Sequence, residues 1–390
     1  MERSQCRRGR KNDGPRSPRV VDTGIWRRWQ TDRMSHSASA AFRFLQAMPK
    51  AELHLHLDGC LRPVTALELA STRGIAAPTS YQGMFDVLVA AAHPGSQAEL
   101  LKSFELPISL MQDVEALQRI TTELVEDKAA DRVRYMEIKW APALHVQRGL
   151  TLDEVIDAVA AAAHAAAGRS NVVVTLTAVA LRSDDPELNV RVADAAVRHR
   201  HRGVTGFDLA GFEEAFPDPL LHFAAFDVAR AGGLGITVHA GELLDNGSLV
   251  RRALELQPRR IAHGASAIGD PAVIKELIAR GVTLDLCPTS NVQAGTVASI
   301  AEHPLAALLR RGVGVTINTD DTTISNTTLS EEMASCHDEL GLTLGEIWAC
   351  TLHALGVAFV DEETRGELLE SFRAWASGIP ELVPGYSAAG

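Results

Sequence analysis

The residues able to do chemistry stand where short apolar runs end. His54 and His56 are two positions apart in the run Ala51–Leu57, so the alternation of a strand points both imidazoles to one face. His239 is followed by Ala240-Gly241-Glu242, His263 by Gly264, and Asp320-Asp321 closes the run Val313–Thr319. Three imidazoles and a carboxylate brought together make a donor set suited to Zn²⁺, with one position open for water. A single strand histidine or an Asp-Asp pair is usually structural. Four separate motifs, each at the C-terminal end of a strand-like run, point instead to a metal centre. Other chemistries lack their motifs: there is no H-E-x-x-H, no G-x-x-x-x-G-K-[ST], no dinucleotide-type glycine spacing, no G-x-S-x-G and no H-x-E…P-C-x-x-C.

The elements that must position these groups are legible as alternation. Strand-like runs at 51–57, 133–139, 172–181, 204–209, 236–239, 260–263, 282–286 and 313–319 are separated by helical patterns such as 153–167, 186–199, 218–231, 271–280 and 305–311. Glycines 168, 203, 232, 281 and 312 stand where helix C-termini are expected. Strands alternating with helices predict a parallel sheet of the α/β class, and eight strands are the number that closes a (β/α)8 TIM barrel. All eight strand ends then meet at one mouth. The segment Pro63–Arg132 is too long for a simple crossover, so extra helices inserted after the first strand are expected above that mouth, with a break at Pro94-Gly95.

The 390 residues are 46% hydrophobic and 22% charged, ordinary for a globular chain. Formal net charge is −11, but residues 1–33 carry +6, which leaves −17 on the remainder. That balance is a poor match for nucleic acid or an anionic membrane. Residues 1–36 are Arg-rich and nearly free of aliphatic side chains, so they are expected to form a disordered basic extension to a single barrel domain, 37–390. An upstream extension with Met34 as initiator accounts for this segment better than an anion-binding tail. No apolar run reaches the length of a membrane span, and neither Arg7-Arg8 nor Arg27-Arg28 precedes an export-type apolar stretch. Five scattered cysteines without a C-x-x-C pair suggest free thiols in a reducing compartment, and a cytoplasmic location is expected.

Pro49-Lys50-Ala51-Glu52-Leu53-His54-Leu55-His56-Leu57-Asp58-Gly59 resembles the opening motif of the adenosine deaminase family, within the metal-dependent amidohydrolases. Phe207-Asp208-Leu209-Ala210-Gly211, His239-Ala240-Gly241-Glu242, Arg260-Ile261-Ala262-His263-Gly264, Cys287-Pro288-Thr289-Ser290-Asn291 and Asn318-Thr319-Asp320-Asp321 follow in that family's order, from about Pro49 to Ala376. The resemblance implies that His54, His56, His239 and Asp320 bind zinc, His56 also lying against the substrate. It implies that Glu242 is the proton donor, that His263 handles the attacking water, that Gly211 and Asp321 touch the purine, and that Asp58 meets the ribose. Such residue types suit the reaction: attack at C6 of a purine needs an activated water, a carboxyl to protonate N1, and an imidazole to accept the water proton and stabilise the charged oxygen.

This sequence departs from the family pattern at three points. Phe212-Glu213 stands where Asp-Glu is common, Thr322 follows the aspartate pair in place of Pro, and Cys60 replaces Ser or Ala. The fourth strand ends Asp208-Leu209-Ala210-Gly211 without the lysine that two-metal relatives use as a bridge, so one zinc per chain is expected, with Lys139 a structural ion-pair partner. The implied activity is hydrolysis of adenosine and 2′-deoxyadenosine to the inosines and ammonia. Deamination of adenine or a modified adenine nucleoside is the alternative, and a non-catalytic purine-binding relative is a remoter one. Adenine deaminases typically carry Glu in place of Asp58. The expected partner is a small purine nucleoside, with no nucleic acid or membrane; the sequence does not set the oligomeric state.

Overall fold

The apolar runs form eight strands in the computed structural model, which describes residues 39–90, 95–243 and 246–382. They are β1 (Lys50–His56), β2 (Val133–Trp140), β3 (Val173–Leu181), β4 (Val204–Ala210), β5 (Gly235–Ala240), β6 (Arg260–His263), β7 (Thr283–Leu286) and β8 (Val315–Ile317). Each pairs in parallel with its successor in sequence. Beyond β8, the His56 N–H donates to the Asp320 carbonyl at 2.7 Å and the Asp320 N–H to the His54 carbonyl at 3.1 Å. These bonds draw the sheet's two edges together into a TIM barrel. The basic segment 1–36 lies outside the described residues, as does Cys6; Cys60, Cys287, Cys336 and Cys350 are buried free thiols.

Several of the helices that cover the strands combine an apolar stripe with a capped start. Leu152–Ser170 opens with a capping box, in which Thr151 Oγ1 accepts the Glu154 N–H at 3.2 Å and Glu154 accepts the Thr151 N–H at 2.8 Å. This helix continues past Gly168 and ends at Asn171, whose φ of +51° supplies the left-handed cap expected of the glycine. Its apolar face (Val155, Ile156, Val159, Ala163, Ala166) is buried. No helix among the described residues is long and apolar enough to cross a membrane.

Among the described residues, five α-helices lie between β1 and β2: Pro63–Arg73, Tyr81–Leu88, Gln97–Lys102, Glu105–Leu110 and Val114–Ala130. The third and fourth supply side chains to the mouth, as expected. The fifth does not sit above the mouth; it packs on Leu152–Ser170 in the outer ring and is the crossover helix of the first unit. Gly95 precedes the third helix, whereas Pro94 lies outside the described residues.

Charge is buried at the opposite end of the barrel. Arg260, at the start of β6, is fully buried, pairs with Glu137, and donates from Nε to Asp285 Oδ2 at 2.9 Å. Its guanidinium stacks 3.8 Å above the ring of Phe359. Phe359 plugs the barrel there, so closely that a Cβ on Gly235 would come within 2.2 Å of its ring.

Candidate active site

The residues expected to do chemistry gather at one mouth, all but the buried His54 lining a single pocket there. His54 and His56 end β1, His239 stands near the end of β5, His263 ends β6, and Asp320 follows β8. His54 Nε2 lies 3.2 Å from His56 Nε2 and 2.9 Å from Asp320 Oδ1; His56 Nε2 lies 3.1 Å from His239 Nε2 and 3.4 Å from Asp320 Oδ1. A zinc with bonds of about 2.0–2.2 Å and ligand angles of roughly 90–120°, as four protein ligands and a water would make, separates neighbouring ligand atoms by roughly 2.8–3.8 Å, a range that holds these distances. His263 borders the same spot from farther away, its Nε2 3.8 Å from Asp320 Oδ2 and 3.9 Å from Glu242 Oε1. His54, His239, His263 and Asp320 each offer a donor atom within 4.8 Å of the others, and His56 adds a fifth group to the cluster.

The backbone is bent to make this possible. His263 and Asp320 have φ of +61° and +64°, a conformation that non-glycine residues avoid and functional sites often retain. Asp320 is pinned in it by its two bonds to β1.

Electrostatics favour ligands in the correct protonation state. Burial pushes His56 down to about 3 and His54 well below its ordinary value, so both imidazoles are neutral with a free lone pair. Burial alone would raise Asp320, but its carboxyl is lowered well below the usual value, its Oδ1 lying 2.9 Å from His54 Nε2 within hydrogen-bond reach. His239 turns Nδ1 to Asp208 Oδ2 at 3.0 Å, and Lys139 donates to the same oxygen at 2.6 Å. Lys139 is thus the ion-pair partner expected, and it holds the carboxylate that orients His239.

Glu242 has a different environment. Burial first, and the Asp320 charge second, raise its carboxyl to about 7, where it can hold and release a proton at neutral pH. The cavity beside it has a volume of about 270 Å³ and is bordered by Asp58, Gly211, Phe212, His263 and Asp321 among others, with Leu100, Leu101, Phe104 and Ile108 from the inserted helices as apolar cover. Burial raises Asp58 to about 6 and raises Asp321 strongly, the charge of Asp320 adding to it. One oxygen of each carboxyl is buried without a hydrogen-bond partner, a cost that a ligand's polar edge would relieve. Gly59 leaves room for Asp321: a Cβ there would lie 1.6 Å from Asp321 Oδ1.

Sequence reasoning missed the supports. Glu213 accepts the backbone N–H groups of Gly241 at 3.0 Å and Glu242 at 3.1 Å, with Arg182 Nη2 3.5 Å from its Oε1. Gln97 donates to Glu242 Oε2 at 2.5 Å and accepts the Glu213 N–H at 2.9 Å. Ser290 donates to Asp320 Oδ2 at 2.7 Å. Ser290 belongs to the Cys287–Asn291 motif and Glu213 follows Phe212, but neither position signals these contacts in sequence. Nothing near Gln97 in sequence advertises it, because its partners are 145 and 116 residues away.

Comparison with known proteins agrees with this geometry. The sequence model of the adenosine deaminase family matches residues 49–375. An adenosine deaminase of Mycobacterium ulcerans is 38% identical over 84% of this chain and 94% of its own. The crystal structure of an adenine deaminase from Arthrobacter aurescens superposes with a TM-score of 0.78 at 26% identity, covering 85% of this chain and all of that one. An Arabidopsis N6-mAMP deaminase does so with a TM-score of 0.77 at 28% identity, covering 85% and 99%. A match that runs from the strand carrying His54 to the last helix, together with a mouth that gathers the motifs, means that the chain belongs to the adenosine deaminase family.

Proposed function

We propose that this protein hydrolyses the 6-amino group of adenosine and 2′-deoxyadenosine, releasing ammonia and leaving inosine or 2′-deoxyinosine, with one zinc ion per chain. The observation that carries this proposal is Glu242: a buried carboxyl titrating near neutrality on the wall of a nucleoside-sized cavity, 3.9 Å from His263. His54, His56, His239 and Asp320 would hold the zinc, since their donor atoms are the more closely spaced, while His263 faces the attacking water. A bound zinc supplies a nucleophile at neutral pH by lowering the pKa of a water to about 7.

The chain's own groups then divide the remaining work. Glu242 delivers its proton to N1 as the oxygen adds to C6, which offsets the loss of ring aromaticity. Asp321, its carboxyl raised by burial, meets N7, and the backbone of Gly211 meets the purine edge. Asp58 bonds the ribose. The inserted helices exclude water with Leu100, Leu101, Phe104 and Ile108, which strengthens each of these interactions.

Two features favour a nucleoside over the alternatives. Asp58 is one methylene shorter than the Glu typical of adenine deaminases, leaving room for a sugar. Among the described residues bordering the cavity there are four carboxyl groups (Asp58, Glu242, Asp320, Asp321) and no Lys or Arg, which is unfavourable for a nucleotide phosphate. Purified protein given adenosine should release inosine and ammonia in equal amounts, lose this activity on chelation and regain it with zinc. Undiminished turnover after the metal is stripped, or none with zinc bound, overturns the proposal.

A further inference from the structure

We infer that Asn291 and His303 are positioning residues that fix the proton of His263 on Nε2, so that His263 faces the reacting centre as a hydrogen-bond donor. Its geometry stands alone, while its catalytic consequence rests on the deamination proposed above.

The relay starts from a group whose role is not in question. The backbone N–H of Leu305 donates to His303 Nδ1 at 3.2 Å. A backbone N–H can only donate, so Nδ1 is the bare nitrogen of that ring. His303 is 3% exposed, and burial pushes its imidazole down to about 3, so the ring is neutral and its one proton is on Nε2. Nε2 lies 3.0 Å from Asn291 Oδ1 and therefore donates to it. That bond orients the carboxamide, turning Asn291 Nδ2 to His263 Nδ1 at 3.1 Å. An amide nitrogen donates, so His263 Nδ1 accepts and the ring's proton is carried by Nε2. The reverse amide orientation would require both nitrogens of neutral His303 to accept, which imidazole cannot do.

His263 Nε2 points to Asp320 Oδ2 and Glu242 Oε1 at 3.8 and 3.9 Å, beside the cavity. In this tautomer it cannot take the water proton. It can donate to the oxygen as negative charge develops there, a contribution worth roughly 10²–10³-fold in rate when a single such donor is removed. The helix Pro288–Gln293 thus serves the site twice, with Ser290 on Asp320 and Asn291 on His263.

Nitrogen-15 NMR of histidine-labelled, zinc-loaded enzyme tests this directly, with His263 assigned by the signals lost in His263→Gln. The expected spectrum has His263 protonated at Nε2 and bare at Nδ1; a ring protonated at Nδ1 overturns the inference, whatever the variants do. Asn291→Asp keeps the shape and still accepts from His303, but it demands a proton on His263 Nδ1. It should move the His263 signals accordingly and lower kcat at least tenfold, with KM within about threefold and zinc content unchanged. His303→Leu should also lower kcat, and His303→Gln, whose amide can donate to Asn291, should recover most of the loss. Wild-type kcat and unshifted signals in Asn291→Asp overturn the inference. An enzyme with the expected tautomer that turns over no purine would support the relay and remove the proposed function.

Discussion

Glu242 is held by contacts that leave its chemistry free. Glu213 fixes its backbone N–H, and Gln97 fixes one carboxyl oxygen, so the other oxygen is left toward His263 and the cavity. A general acid placed in this way contributes mainly to the transition state, and Glu242→Gln keeps the shape while losing the proton. We expect kcat to fall by roughly 10²–10⁴-fold, with KM little changed and zinc retained, because Glu242 is not among the proposed ligands. Steady-state kinetics and metal analysis check this; more than a tenth of wild-type kcat, or loss of zinc, would remove Glu242 from the acid role. The site's histidines, Glu242 and the aspartate pair stand out in sequence because each lies at or just past a strand end, whereas Asp58 is marked only by the family resemblance. Gln97 was not, since a glutamine on a short helix looks like any solvated position until the fold brings Glu242 to it.

At the scale of elements, the strands were legible wherever their ladders extend over apolar residues. β8 was read too long. The ladder covers only Val315–Ile317, and after it Asn318 turns its side chain to β1, Oδ1 accepting the N–H groups of Leu53 at 2.9 Å and His54 at 3.2 Å. A polar side chain substituting for backbone pairing leaves no trace in a hydropathy pattern. The buried charges at the far end were equally hidden, because Arg260 meets Glu137 and Asp285 from other strands. Their value is conditional: removing one partner of a buried ionic cluster leaves the others uncompensated. Arg260→Met should therefore destabilise the barrel by about 3–5 kcal/mol, read as a lower urea midpoint, with kcat of the folded fraction unchanged. A loss below about 1 kcal/mol would show that the cluster tolerates the vacancy.

For the whole molecule, the alternation of strand and helix and the acidic balance of residues 34–390 pointed to a barrel that handles a small molecule rather than a polyanion. The structure adds the size of the cavity and its lining: about 270 Å³, with carboxyl groups, imidazoles and no Lys or Arg among its described polar residues, and with the inserted helices contributing to its apolar side. On the proposed reading, such a space takes a neutral purine nucleoside rather than a phosphorylated one, and the shorter Asp58 leaves room for its sugar. The two alternatives make opposite demands on the same pocket, so a single comparison separates them. The measurement is kcat/KM for adenosine, adenine and N6-methyl-AMP on one preparation of zinc-loaded enzyme, followed by ultraviolet absorbance. Adenosine should exceed both others by at least tenfold. Faster turnover of adenine, or of the nucleotide, would contradict the assignment of Asp58 to a ribose and with it the proposed substrate.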